Sequence, residues 1–450
     1  MLEIRRAKEV RGSVDLPPSP DLFLLSAVVT LAAQTRSVVS PRIDTPLVNR
    51  YKDAFAGHLT FDSGDQGVSV ASAAAETPAS IALDIGMLPY RDFIAFALLG
   101  MGTALACPSI SDQRITAWEE TARTMGCTLA TQRGESTTTV RLEKSDTFGP
   151  PLQDVSADAV YPLLGMALGL RRRVSFTMDA VFSSPVRHVL AAFGFELHVK
   201  STDQTDPTDP VAKRMRFLQK KKRAEETHAF QVSADFSVKA RDDVAIDLPG
   251  DEVLASLFVL AKSLIQKGAL VVNNASLEPW AVQMLDFVRK MGCKPALQPT
   301  RETSFGSCGL MQLQSFELTS RKTNCRPVCL FADHLAAELI CAAFATGQSV
   351  FRGLEDLRAD QPDTLDRLHA CLEKMGIRHG EMPDGMVVDG GRELDGFDYI
   401  EDISAPINGA LAIAGLKCRG KSTIADAAIT DRWPDFRQMI SSVCEFRAQA

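Results

Sequence analysis

Ala122-Arg123-Thr124-Met125-Gly126-Cys127, Val288-Arg289-Lys290-Met291-Gly292-Cys293 and Leu372-Glu373-Lys374-Met375-Gly376-Ile377 repeat one local chemistry. Each reads as the last turn of a helix closed by glycine, the residue that takes up the left-handed cap conformation without a Cβ clash. Ala191-Ala192-Phe193-Gly194-Phe195 is a fourth copy, and a weaker one ends at Gly57. Behind each glycine the side chains alternate, as in Cys127-Thr128-Leu129-Ala130-Thr131 and Phe195-Glu196-Leu197-His198-Val199, which predicts a strand buried on one face. A helix that hands over to a strand several times in one chain signals an internal repeat.

A second, more apolar helix precedes each of these. The candidates run from Asp21 to Ala33, Asp92 to Leu105, Ala157 to Leu170, Glu252 to Ile265, His334 to Ala345 and Ile407 to Leu416. They carry Ala, Leu, Ile and Val on all sides, so the whole circumference of each is expected to be buried. Gly268 and Gly347 then lead into Ala269-Leu270-Val271-Val272 and Gln348-Ser349-Val350-Phe351, again helix, turn and strand. Six units of about 70 residues account for the length, and the expected class is α/β (α+β) with buried inner helices.

The chain has 450 residues, 45% of them hydrophobic and 23% charged, with a net charge of −7. That is the composition of a globular protein with large cores. The longest apolar stretch, Leu22 to Ala33, falls short of the roughly 18 to 20 residues of a membrane span. Met1-Leu2-Glu3-Ile4-Arg5-Arg6-Ala7-Lys8 mixes charge with apolar residues and has no secretory hydrophobic core, so a cytoplasmic protein is expected. Ten scattered cysteines and seven histidines show no metal-ligand spacing, which predicts reduced, mostly buried thiols and no metal or other cofactor. The acidic balance argues against a nucleic-acid binder. One local exception is basic: Lys213, Arg214, Arg216, Lys220, Lys221, Lys222 and Arg223 fall within eleven positions. They follow the polar stretch Ser201 to Thr208 and read either as a solvated hairpin or loop or as an anion, nucleic-acid or acidic-partner patch, with no interleaved aromatics beyond Phe217 to stack on bases.

Several framework stretches extend the repeat into a family resemblance. Gly12-Ser13-Val14-Asp15-Leu16-Pro17-Pro18-Ser19, Leu248-Pro249-Gly250-Asp251, Gly353-Leu354-Glu355-Asp356-Leu357-Arg358 with Leu365-Asp366-Arg367-Leu368, and Trp433-Pro434-Asp435-Phe436 together resemble the enolpyruvyl transferases, specifically the 5-enolpyruvylshikimate-3-phosphate (EPSP) synthase family. The resemblance implies a two-domain fold of six βαβαββ-type units, three per domain, arranged as an inside-out α/β barrel with the helices innermost. It places one domain at 17–246, with an insertion at about 201–228, and the other at 1–16 plus 247–450. It also implies a small-molecule site in the cleft between domains that close on substrate.

That family transfers an enolpyruvyl group from phosphoenolpyruvate to a phosphorylated acid, which requires fixed cations and acid/base groups. Against the family's pattern this chain is depleted of cations. Pro20, Asp21 and Leu25 stand where Lys, Ser and Arg are expected, and Ile85-Gly86-Met87-Leu88 replaces the Asn-Ala-Gly-Thr loop. Asp158-Ala159-Val160 replaces Ser-Ser-Gln, placing a negative charge where a phosphate would bind. Asp360-Gln361-Pro362-Asp363-Thr364 replaces Lys-Glu-x-Asp-Arg, Asp402-Ile403-Ser404 replaces Asp-His-Arg, and Asp431 stands for a late lysine. The carry-over leaves Asp333 as the candidate catalytic base, and Arg91, Arg114, Asp158, Ser183, Asp363 and Asp402 at substrate-binding positions. Asp333 and Asp402 can equally be helix caps, and Arg91 an ion-pair partner of Asp92.

Gly415-Leu416-Lys417-Cys418-Arg419-Gly420-Lys421-Ser422 fits the phosphate-loop pattern, but the predicted order around it is helix then strand, the reverse of what a nucleotide loop needs. Cys107 lies near the position of the catalytic cysteine in the UDP-N-acetylglucosamine branch of the family, without that loop's glycines, and reads as a buried thiol. Two readings of function stand: a transferase of the family with an altered substrate, or a homologue that keeps the fold and acts as a binding, scaffold or regulatory partner.

Overall fold

The computed structural model describes residues 1–65, 67–73, 80–83, 90–108, 110–145, 152–153, 155, 157–178, 184–201, 230–325, 334–360 and 362–446. Six apolar helices lie at Pro20–Ala33, Arg91–Gly100, Ala157–Gly169, Glu252–Leu264, Leu335–Phe344 and Ala405–Gly415. Every residue of the first, fourth and sixth is buried. The sequence places the second of them too long. Its helix stops at Gly100, Gly102 turns the chain at φ 86°, and Ala104–Cys107 is already a strand. The strand expected from Phe195 starts instead at His198, because Phe195 is drawn into the core against Phe236. The glycines that close the outer helices do adopt positive φ, 72° at Gly126 and 111° at Gly292.

The second, third, fifth and sixth inner helices are crossovers between parallel neighbours in one small sheet, whereas the first and the fourth each join strands of two different sheets. The parallel pairs are Val244–Asp247 with Arg36–Ser40, Ser80–Ala82 with Ala104–Cys107, Gly12–Asp15 with Leu270–Ser276, Lys322–Asn324 with Gly347–Arg352, and Asp398–Tyr399 with Lys421–Ile424. In the third unit the parallel contact among the described residues is a single bridge, Leu152 to Phe176. Antiparallel hairpins such as Cys127–Arg133 with Thr138–Ser145 and Arg378–Met382 with Gly385–Gly390 extend most of the sheets. The result is six units with helices inside and sheets outside, the α/β architecture that the repeat predicts.

Two of these pairings exchange strands. Gly12–Asp15, from the start of the chain, pairs with a strand of the fourth unit, and Val244–Asp247 pairs back with the first. The buried apolar side chains divide accordingly into two clusters. One takes in Leu22 to Leu248 and the other Leu2 to Leu16 with Val253 to Cys444; Trp280, Ala281 and Phe305 cross over to pack on the former. We call these the N-terminal and C-terminal lobes.

The two chain crossings lie side by side. Asp251 N–H donates to Pro17 O at 2.8 Å and Ser19 N–H to Pro249 O at 3.2 Å. Arg301 clamps them from the C-terminal lobe, donating to the Asp247 carboxylate, to Leu248 O at 3.1 Å and to Asn274 Oδ1 at 2.8 Å. Gly250 permits this crowding: a Cβ there would meet Asn274 O at 2.4 Å and Leu16 Cβ at 2.5 Å.

Inner helices pack closest where small residues allow it. A Cβ on Gly165 would stand 2.3 Å from Phe93 O, and one on Gly169 would stand 2.3 Å from Ala97 O, so Arg91–Gly100 and Ala157–Gly169 touch backbone to backbone. Several polar groups within the inner helices are satisfied locally. Ser26 and Thr30 donate to Leu22 O and Ser26 O, and buried Lys262 donates to Ile265 O, Gln266 O and Ser315 Oγ at 3.1 to 3.2 Å. Burial pushes the Lys262 ammonium down to about 8.

Among the described residues no helix is long and apolar enough to cross a membrane, and no group of three His, Cys, Asp or Glu side chains is placed to hold a metal ion. The described cysteines are all free and buried, Cys107 included. The phosphate-loop look-alike has the Ala405–Gly415 helix before it and the Lys421–Ile424 strand after it, so it is a helix-to-strand turn.

Candidate functional site

The first residues of two inner helices, one from each lobe, meet where the lobes face one another. Ser19 caps the Pro20–Ala33 helix, whose first turn carries Asp21. Asp251 caps Glu252–Leu264, its Oδ1 accepting from Val253 N–H at 2.9 Å and Leu254 N–H at 3.0 Å. A carboxylate suits a helix N-terminus because it accepts unpaired amides and faces the positive end of the dipole. Here two carboxylates are brought to one cation. Arg432, at the end of the Ala427–Arg432 helix, donates from Nη2 to Asp21 Oδ2 at 2.5 Å and from Nε to Asp251 Oδ2 at 3.1 Å. Trp433 Nε1–H adds a third bond to Asp251 at 2.9 Å, and the Arg432 guanidinium lies 5.3 Å from the Trp433 ring.

Asp21, Asp251 and Arg432 are 2%, 0% and 7% exposed, so this ion pairing is screened from water. Burial raises the Asp21 carboxyl, and Arg432 opposes the rise. The neighbouring Glu252 is also raised, first by burial and then by Asp251 and Asp21. His334, at the start of the fifth inner helix, lies 2.6 Å by Nδ1 from Ser256 Oγ, and burial pushes it down to about 4. The centre of the lobe junction thus gathers a buried imidazole, the buried Glu252 carboxyl and one guanidinium shared by Asp21 and Asp251.

At the rim of the junction Asp431 pairs with Arg50 of the opposite lobe at 2.6 Å. On the N-terminal lobe, Asp92 accepts from Arg114 Nη1 at 3.1 Å and from Trp118 Nε1 at 2.8 Å, with Arg91 Nε at 3.8 Å. Burial pushes Arg91 down to about 10. The fold therefore brings the candidates Arg91 and Arg114 together, on a shared carboxylate, and Arg91 is no surface residue: its side chain is 13% exposed.

The other candidates are dispersed. Asp402 accepts from Ala428 N–H at 3.0 and 3.2 Å, so the helix it caps is the short Ala427–Arg432; the inner helix Ala405–Gly415 is capped by Ser404. Asp363 is exposed in the first turn of Pro362–Lys374. Asp158 is the second residue of the third inner helix. Asp333, Ser183, the 85–88 segment and the basic cluster from Lys213 to Arg223 lie outside the described residues. A pocket of ≈ 390 Å³ at the carboxyl ends of the parallel strands Lys322–Asn324 and Gly347–Arg352 is lined by Lys322, Asn324, Arg352, Glu355 and Asp384, with Arg352 and Asp384 paired at 2.7 Å. Open crevices at strand carboxyl ends are the usual ligand positions in α/β units. Sequence reasoning missed Arg432; its signal is its place between Asp431 and the aromatic-Pro motif at Trp433.

With its two three-unit lobes and buried inner helices, the molecule has the enolpyruvyl transferase fold. EPSP synthase from Acinetobacter baumannii superposes with a TM-score of 0.70, covering 100% of this chain and 99% of that one at 15% identity. The enolpyruvyl transferase NikO from Streptomyces tendae gives a TM-score of 0.69 over 99% and 98% of the two chains at 13% identity. Residues 222–440 match the family model described as EPSP synthase (3-phosphoshikimate 1-carboxyvinyltransferase). A 3-phosphoshikimate 1-carboxyvinyltransferase from Carboxydothermus hydrogenoformans is 27% identical over 199 residues, 44% of this chain and 46% of that protein. One from Novosphingobium aromaticivorans is 28% identical over 226 residues, 49% and 51% of the two. The chain spans about half the length of the curated relatives it matches.

Proposed function

We propose that this protein is an EPSP synthase-like member of the enolpyruvyl transferase family whose interdomain cleft, between domains at 17–246 and at 1–16 plus 247–450, takes an uncharged or cationic small molecule. The relatives are named for a phosphorylated acid, 3-phosphoshikimate. The observation that carries the altered substrate is the pairing of Arg432 with both Asp21 and Asp251. A phosphate or carboxylate entering there meets a guanidinium already claimed by two buried acidic groups, which outnumber it, and like-charge repulsion opposes it. Arg114 is paired with Asp92 and Arg50 with Asp431, so these cations too already face carboxylates. Asp333 is the proposed general base, by its place ahead of the fifth inner helix.

The test is calorimetric titration of the full chain with phosphoenolpyruvate and shikimate 3-phosphate, together with an assay of phosphate release. Neither binding nor release is expected, and turnover of that pair would overturn the proposal. A second reading, a homologue that acts as a binding or regulatory partner, is favoured by the use of Arg432 as a structural bridge. A metabolite screen that finds turnover lost in Asp333→Asn would exclude it.

A further inference from the structure

We infer that the Asp21 carboxylate acts as a built-in ligand of the opposite lobe: by occupying Arg432 it holds the lobes together and denies that guanidinium to a free carboxylate. The inference rests on the reading of the cleft given above and adds a claim about closure. Asp21 and Arg432 stand 411 positions apart, so nothing local joins them, and their helices belong to different apolar clusters. The contact is a charge-assisted hydrogen bond, and both partners are withdrawn from water. Stripping a carboxylate and a guanidinium of their hydration is tolerable only while they face one another, which couples their pairing to the approach of the lobes. Arg432 is held ready by two groups of its own lobe, the Asp251 carboxylate and the Trp433 ring. Asp21 is the partner that arrives from outside, as a ligand's carboxylate would. Arg50 and Asp431 close the same edge at the rim.

Small-angle X-ray scattering on the full chain tests the idea, with sodium formate as a carboxylate supplied in trans. Wild-type protein is expected to keep one radius of gyration with or without formate. Asp21→Ala is expected to expand and to contract again as formate fills the space beside Arg432. Asp21→Asn, which preserves shape and removes charge, is expected to expand as well and serves if the alanine variant fails to fold, as judged by its thermal transition. Identical scattering of wild type and a folded variant overturns the inference, as does an expansion of Asp21→Ala that formate does not reverse. Turnover of shikimate 3-phosphate by the wild type is a different result: it removes the proposed substrate class and leaves the scattering comparison standing.

Discussion

Arg432 of the C-terminal lobe donates to Asp21 of the N-terminal lobe at 2.5 Å, and Arg432 also holds Asp251. Replacing Arg432 by methionine leaves two buried carboxylates without their cation. The expected loss is about 3–5 kcal/mol in urea-induced unfolding. Asp21→Asn is expected to cost less, since Arg432 keeps Asp251. Arg50→Ala, which breaks an ion pair whose side chains are 57% and 38% exposed, is expected to cost no more than about 1 kcal/mol. Near-equal losses for Arg432→Met and Arg50→Ala would contradict the buried character of the bridge.

Glu338 sits inside the fifth inner helix, 3.5 Å from Gln283 Nε2, and burial pushes its carboxyl up to about 8 from a reference of 4.5. The folded chain therefore keeps the proton that the unfolded chain releases above pH 4.5. Its contribution to stability is full below that pH and drains away as the pH rises to about 8. Glu338→Gln mimics the protonated acid. The melting temperature of the variant should gain on that of wild type between pH 5 and pH 8, by an amount on the order of a few kcal/mol in stability. His334, lowered to about 4, loses its contribution as the pH falls from 6.5, but it is common to both proteins and cancels in the difference. Parallel pH profiles for the two proteins would refute the assignment.

Gly165→Ala drives a Cβ to within 2.3 Å of Phe93 O, where only backbone can yield. Prising the second and third inner helices apart is expected to cost about 1–3 kcal/mol. Gly380→Ala is the control: it lies in a strand, has ordinary φ, and nothing stands within 4 Å of its added Cβ. It should stay within about 0.5 kcal/mol of wild type. Thermal melts of the pair decide the matter.

Lys262→Met removes the ammonium that caps the end of the fourth inner helix through Ile265 O and Gln266 O. Those carbonyls lose a donor, at an expected cost of about 1–3 kcal/mol. Faster amide hydrogen exchange at the end of that helix would locate the damage; unchanged exchange there would argue against a capping role.

Much of the architecture was legible in the chain because helix burial and glycine caps are local or periodic properties. The run from Glu252 to Leu264, apolar around its whole circumference, had no exposed face to offer, and it lies buried over its full length. Boundaries were less legible. The stop at Gly100 depends on a turn through Gly102, and Phe195 left its expected strand for a contact with Phe236. Asp402 illustrates the same limit at the level of a cap: it precedes one helix in sequence and caps another in space.

By itself, then, the sequence determined the helix–glycine–strand repeat and the all-round apolar inner helices. Each of these follows from residue type and spacing. Only the tertiary structure decided where the remaining charges go. Asp21, Asp251 and Arg432 lie far apart in the chain and carry no periodic signal. Their pairing arises because the strand exchange of Gly12–Asp15 and Val244–Asp247 sets two helix starts against one guanidinium. Electrostatic energy depends on separation in space and on access to water, and both are properties of the folded chain.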